Sequence, residues 1–261
     1  MKQDIQQEEQ SNPDKENLKE KPKAKSPKKK KDDFSIDTDQ LIEAGLYFGH
    51  RTSRINPKMN QYIQGVRNNV HIIDVDITKK KFIEALGFIR ELIVGKKILL
   101  FVGTKIQNKN LVAEVANECE LPYVNQRWLG GTFTNFGVIK KRIEYFKKLE
   151  SDKKEGEWDK YTKKERIKMQ RELENLKLKF GGLKETTRLP DAIFVCDIRK
   201  DYLAIKEARE KGIKVIGIAD TNVDPELADY PIPANDDAIS SIKYILEKVK
   251  EVILKSKEKQ A

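Results

Sequence analysis

Three short, unbroken apolar runs constrain this chain more than any other feature. They are Ile98-Leu99-Leu100-Phe101-Val102, Ala192-Ile193-Phe194-Val195-Cys196 and Val215-Ile216-Gly217-Ile218-Ala219, and each ends at a Gly or an Asp. A strand with one wet face alternates apolar and polar residues. A run that stays apolar for five residues must be covered on both faces, as in the interior of a parallel sheet. Helix-period stretches lie between the runs. Phe82, Leu86, Ile89 and Ile93 precede the first and stop at Gly95. Val112, Val115 and Cys119 follow it, ahead of a short strand at Pro122-Tyr123-Val124. A helix from about Tyr202 to Lys211 separates the second and third runs. Another, carrying Ile239, Ile242, Leu246, Val249 and Ile253, closes the chain after a brief strand at Pro231-Ile232-Pro233. Strand–helix alternation of this kind implies an α/β fold, a Rossmann-like or flavodoxin-like parallel sheet with helices on both faces.

Ahead of the first run, Asp37 or Thr38 can cap a helix through Ala44, with Gly45 as its stop. Tyr62-Ile63 and Val70-His71-Ile72-Ile73 read as a short hairpin joined through Gly65 and Asn68-Asn69. Residues 138–185 break the α/β pattern. Ile139, Ile143, Phe146 and Leu149 recur at spacings of four, three and three, and Met169, Leu173, Leu176 and Phe180 at four, three and four. These narrow stripes are coiled-coil seams. Thr162-Lys163-Lys164-Glu165 is a capping box opening the second helix, and Gly181-Gly182 stops it. The expectation is a discontinuous α/β domain, 34–137 and 186–261, carrying an inserted antiparallel coiled-coil hairpin over 138–185. Residues 1–33 have almost no apolar side chains and end in a lysine-rich stretch. They read as disordered, either a solubilising tail or a basic arm for nucleic acid.

Charge localises the partner. The chain carries 52 Lys and Arg against 42 Asp and Glu. Over 138–188 the count is 17 against 10, over 1–33 it is 10 against 8, and the remainder has 25 against 24. A charge kept only for solubility would be spread evenly. A near-neutral body with a basic hairpin suits contact with phosphates. Cys119 and Cys196 are far apart in apolar stretches, so they read as buried free thiols in a reducing compartment, with the cytoplasm as the default. No apolar run is long enough for a membrane span.

A sheet of this kind invites an enzyme reading, with a nucleotide or sugar phosphate as ligand. The sequence has neither Gly-x-Gly-x-x-Gly nor a P-loop, and Val102-Gly103-Thr104-Lys105 with its single glycine is the nearest approach to one. His50 and His71 stand apart, with no metal-ligand spacing, and no cofactor is expected. Asp197, Asp220 and Asp236-Asp237 fall at strand ends or a helix start. They read as turn and cap residues in preference to a metal or catalytic cluster, with Asn235 or Asp236 capping the last helix.

Basic and amide residues in loops give the stronger signal. His50, Arg51, Arg54, Asn56 and Lys58 share one polar loop. Arg67 and Asn68 lie in a turn, and Arg127-Trp128 precede Gly130-Gly131. Guanidinium groups pair phosphates in bidentate fashion, and amides suit 2′-OH contacts. Lys140, Lys141 and Arg142 open the hairpin, and Lys105 and Arg188 complete the candidate RNA-binding set. Trp128 either anchors its loop to the body or stacks on a base. His50 either faces RNA or packs.

The segment from Tyr123 to Phe136, with Asn125-Gln126-Arg127-Trp128-Leu129-Gly130-Gly131 at its heart, resembles the most specific motif of the family of small-subunit ribosomal protein two, bacterial type. So do Phe48-Gly49-His50, Asn56-Pro57-Lys58-Met59, Gly65-Val66-Arg67-Asn68, Phe101-Val102-Gly103-Thr104-Lys105, Leu189-Pro190-Asp191-Ala192, Gly217-Ile218-Ala219-Asp220-Thr221-Asn222 and Ile232-Pro233-Ala234-Asn235-Asp236-Asp237. They occur in the family's order over roughly 38–250. The resemblance implies a non-enzymatic structural constituent of the small ribosomal subunit that binds 16S-type rRNA. It also implies neighbouring small-subunit proteins as partners, the large S-one protein among them. Tyr47 departs from the His of many bacterial members, and Ile106 from a common basic residue.

Overall fold

The computed structural model describes Phe34 and residues 36–258. The tail expected over 1–33 lies outside the described residues. Helix α1 (Thr38–Glu43) starts where the Asp37 side chain accepts the Asp39 amide, and Gly45 ends it at φ +76°. Three strands follow, β1 (Phe48–Arg51), β2 (Ile63–Arg67) and β3 (Val70–Ile73), as an antiparallel sheet in the order β1-β3-β2. The β2–β3 turn is Asn68-Asn69, with φ of 50° and 60°. Two consecutive left-handed residues give the turn twist that tight hairpins favour, and Asn tolerates that region better than most residues. β1 is the one strand the sequence hid. Its residues are half-buried or exposed and polar in part, so no alternation marks it.

Beyond this sheet the alternation is as expected. Helix α2 (Val75–Val94) is capped by Asp74, whose carboxylate accepts the amides of Asp76 and Ile77. It leads to β4 (Leu99–Val102), α3 (Lys109–Glu118) and β5 (Tyr123–Val124). Later come β6 (Ala192–Val195), α6 (Tyr202–Glu210), β7 (Lys214–Ala219), β8 (Tyr230–Pro233) and α7 (Ile239–Glu258). β4 to β8 form a parallel sheet in the order β5-β4-β6-β7-β8. That is the doubly wound flavodoxin-like order, with its switch point between β4 and β6.

Successive strand residues point to opposite faces, and the continuous apolar runs therefore fill two cores. Leu99, Phe101, Ala192, Phe194, Ile216 and Ile218 face α2, α3 and α7. Leu100, Val102, Ile193, Val195, Val215 and Ala219 face α6 and the Trp128 loop. Each fully buried Leu, Ile or Phe contributes about 1.5–3 kcal/mol relative to exposure, so a polar replacement on either face would be costly.

The second core continues into the central insertion. Helix α4 (Phe136–Lys154) packs against α5 (Lys163–Phe180), joined by a 3-10 turn at Glu157–Lys160. Ile139, Ile143, Phe146, Leu149, Leu173, Leu176 and Phe180 are all buried, and Met169 is half-buried against them. The seam residues belong to the same apolar cluster as the sheet's second face, so the helix pair grows out of that core. The capping box is formed, with Glu165 accepting the Thr162 amide at 3.0 Å. At the foot of the pair, Gly182 lies so close to the Tyr123 carbonyl that any side chain there would collide with backbone.

Candidate nucleic-acid interface

Two places in the fold gather the candidate residues, the rim of the small β1–β3 sheet beside the carboxyl edge of the parallel sheet, and the start of α4. The carboxyl edge comes first, since an α/β enzyme would bind its ligand there.

In this chain the switch-point crevice is filled by the chain's own groups. The Thr104 hydroxyl donates to Asp201 at 2.7 Å, and its amide donates to the same carboxylate at 3.2 Å. Burial pushes the Asp201 carboxyl up to about 6, partly offset by those two bonds. Beside it the Lys105 ammonium lies 3.0 Å from Asp197, 3.0 Å from Asp236 and 2.7 Å from Asp237. Burial opposes the ammonium. The bonds to Asp237 and Asp236 and the field of Asp197 outweigh that, and the Lys105 pKa rises above its usual value. Asp236 is 2 % exposed. Burial, with repulsion from Asp197 and Asp220, raises its carboxyl to about 7 against the pull of Lys105. Gly103 is a packing glycine, because a Cβ there would lie 2.7 Å from Val112 on α3 and 3.4 Å from the Cys196 sulfur.

These contacts correct one expectation and decide another. Lys105, expected to contact RNA, turns its charge inward onto three aspartates. Of the two cap candidates, Asn235 or Asp236, it is Asn235 that accepts the amides of Asp237 and Ala238 ahead of α7, while Asp236 and Asp237 hold Lys105. Asp220 does make its turn, accepting the Thr221 amide and hydroxyl.

His50 joins the same cluster from β1. Its Nδ1 lies 3.1 Å from Asp220, and its Nε2 is 3.0 Å from the Asn222 amide nitrogen and 3.5 Å from Asp237. The hydrogen bond to Asp220 raises the imidazole pKa despite partial burial. His50, Asp220 and Asp236 offer ligand atoms within 4.8 Å of one another. A divalent cation entering here would compete with the Lys105 ammonium at Asp236 and with the His50 ring at Asp220.

The remaining loop residues point outward. Arg51, Arg54, Arg67, Asn68 and Arg127 are exposed. Among the described residues no ion pair occupies Arg51, Arg54, Arg67 or Arg127. Arg51 and Arg54 border an open cleft that His50 and Asp220 also line. Asn56 fixes the next turn by accepting the Lys58 amide at 3.0 Å. The Lys58 ammonium pairs with Asp224 at 2.8 Å and with Glu226, and Arg188 pairs with Asp191 at 3.1 Å. Exposed pairs of this kind are worth about 0–1 kcal/mol and exchange readily for other anions.

The Trp128 loop answers the alternative left open by the sequence. Trp128 is 6 % exposed, its ring meets Phe133 edge-on at 4.8 Å, and its indole N–H donates to Glu207 at 3.2 Å. It anchors the loop and presents no face to a base. Glu207 on α6 also accepts the amides of Gly131 at 2.8 Å, Phe133 at 2.9 Å and Thr134 at 3.2 Å. Desolvation opposes its charge, yet these donors hold its carboxyl below the usual range. Sequence reasoning passed over Glu207. The available signal was a carboxylate on the apolar face of a helix, flanked by Ala204, Ile205 and Ala208. Lys140, Lys141 and Arg142 are exposed on the first turns of α4.

A family model described as ribosomal protein S2 matches residues 41–256. A small ribosomal subunit protein uS2 of Dictyoglomus thermophilum is 49 % identical over 219 residues, 84 % of this chain and 89 % of that protein. The uS2 of Dictyoglomus turgidum matches to the same extent. The uS2 of a Nitratiruptor species is 45 % identical over 218 residues, 84 % of this chain and 82 % of its own length.

Proposed function

The chain belongs to the ribosomal protein S2 family, and from that membership we infer that it is a structural constituent of the small ribosomal subunit and not an enzyme. We propose that it acts by binding small-subunit rRNA through Arg51, Arg54, Arg67 and Asn68 around the small sheet, through Arg127 in the Trp128 loop, and through Lys140, Lys141 and Arg142 on α4. One observation carries the assignment of residues. The charges along the carboxyl edge of the sheet are consumed internally, whereas these cations are exposed and outside any ion pair among the described residues. Unpaired guanidinium groups on loops beside a rigid sheet are free to take phosphates in bidentate geometry. The crevice an α/β enzyme would use is filled by Thr104, Asp201 and Lys105, which weighs against a nucleotide ligand there. The residues 138–185 serve in this reading as a basic arm. The S-one protein is the proposed protein partner, on the strength of the motif resemblance alone.

The test is binding of purified chain to small-subunit rRNA across a salt series, with sedimentation of tagged chain alongside small subunits. Each phosphate contact contributes about −0.7 to −0.9 to the log–log salt slope. Replacing Arg51, Arg54, Arg67 and Arg127 by Ala flattens the slope by about 3. A slope unchanged by the four substitutions removes these residues from the interface. A tagged chain absent from small subunits overturns the function itself.

A further inference from the structure

A second open cleft lies at the carboxyl edge of the parallel sheet, between the loop that follows β1 and the turns that follow β6 and β7. Its lining is apolar where it is buried, at Ile198 and Val223. It is also apolar where it is open, since Ile55 and Tyr202 line it and stand 38 % and 51 % exposed. The exposure of Tyr202 follows from the periodicity of α6. Ala204, Ile205 and Ala208 form the face of that helix buried in the second core. Tyr202 falls off that face, and Asp201 ahead of it is turned inward to the Thr104 hydroxyl. A single exposed apolar side chain needs no explanation, but two that share one cleft with a buried apolar lining mark a contact surface.

The charges of the cleft are sorted as well. Asp224 is the one carboxylate on its lining, and the Lys58 ammonium takes it at 2.8 Å. Arg54 and Arg199 line the same cleft, both exposed and in no ion pair among the described residues. The charge left without a counter-ion is therefore positive.

We propose that this cleft docks an acidic segment of a neighbouring small-subunit protein, which sets an aromatic or aliphatic side chain against Tyr202 and Ile55 and carboxylates against Arg199 and Arg54. The inference rests on the reading of the chain as a constituent of the small subunit. Tyr and Arg around an apolar centre are the residue types on which protein interfaces depend most. Positive charge at the rim selects carboxylates and repels basic segments. No glycine lines the cleft, so it lacks the turn that lets backbone amides close on the phosphates of a nucleotide. Arg54 also borders the cleft beside His50 and belongs to the surface assigned to rRNA, so the test leaves it in place.

The experiment puts a photocrosslinker into the cleft of the full-length chain. Tyr202→p-benzoylphenylalanine keeps an aromatic ring at an exposed position. Small subunits carrying the tagged variant are purified and irradiated, and the adducts are digested and sequenced by mass spectrometry. The expected product is a protein adduct at an apolar residue flanked by Asp or Glu. Adding Arg199→Glu sets like charges together and is expected to lower the adduct yield about tenfold, with the share of tagged chain in small subunits unchanged. An adduct to rRNA alone, an adduct to a basic peptide, or no adduct in subunits that hold the variant overturns the docking site and leaves the wider reading standing. A yield that Arg199→Glu does not change overturns it too. If neither the wild-type chain nor the variant enters small subunits, the wider reading falls and the docking site with it. Ile55→p-benzoylphenylalanine, read by the same outcomes, serves if the Tyr202 variant alone does not assemble.

Discussion

Glu207→Gln tests whether one carboxylate organises the loop that leads into the hairpin. The wild-type side chain is 5 % exposed and accepts three backbone amides and the indole N–H. Gln keeps the size but turns one acceptor oxygen into an NH2 donor. Whichever way the amide lies, at least one amide hydrogen loses its acceptor and faces another donor. Oε2 takes the Phe133 and Thr134 amides, and Oε1 takes Gly131 and Trp128, so each orientation sacrifices two bonds. Leaving a buried donor unsatisfied costs about 1–3 kcal/mol. Two such losses, with relaxation at the half-buried Thr134 end, come to about 2–4 kcal/mol. The assay is urea unfolding followed by tryptophan fluorescence in a Trp158→Phe background, where Trp128 is the sole tryptophan. The variant is expected to unfold at lower urea and to show a shifted native emission from Trp128. A stability within about 0.5 kcal/mol of the parent, the size of an ordinary surface change, with unchanged emission, would refute the argument.

Two further outcomes concern the carboxyl edge of the sheet. His50 has a folded pKa raised above its usual 6.5, so its contribution is full below that value and is lost as pH rises through the folded one. Asp236, raised from 3.8 to about 7, holds a proton that the unfolded chain releases, so stability also falls as pH rises between those values. The two effects share a sign, and urea midpoints should fall from pH 5.5 to pH 8, with His50→Gln reducing the drop; a midpoint that rises over this range contradicts the cluster. Lys105→Met removes the ammonium from three carboxylates and should cost about 3 kcal/mol at pH 8, the low end for breaking a buried pair. The cost should shrink at pH 5.5, where Asp236 takes up a proton, and a pH-independent loss would show that the aspartates do not respond to one another.

The parallel sheet was readable because burial on both faces leaves continuous apolar runs, and the seams of α4 and α5 because two-helix packing leaves narrow stripes. β1 was not, since Phe48–Arg51 joins its sheet through backbone bonds with no side-chain pattern to mark it. The exposure of the candidate residues was legible in some cases and hidden in others. Arg51, Arg54, Arg67 and Arg127 face outward as their loop chemistry implies. Lys105 looked identical to them, since its partner Asp236 lies 131 positions along the chain and only the fold brings them together. Trp128 was ambiguous for a similar reason, its acceptor Glu207 being 79 positions away.

The continuity between the hairpin seam and the sheet's second core bears on aim. A helix of the length of α4 spans about 28 Å. A tilt of about 5° at its base would carry the far end roughly 2.5 Å, by the geometry of a rod of that length. That displacement is enough to break a hydrogen bond to a phosphate. Whatever α4 and α5 grip at a distance is therefore positioned by their mounting. Here the mounting consists of Ile139 and Phe180 set in the core, Glu207 holding the loop in front of α4, and Gly182 seated against Tyr123 behind α5. Faults introduced at these buried points should register as misplacement at the far end long before they register as unfolding.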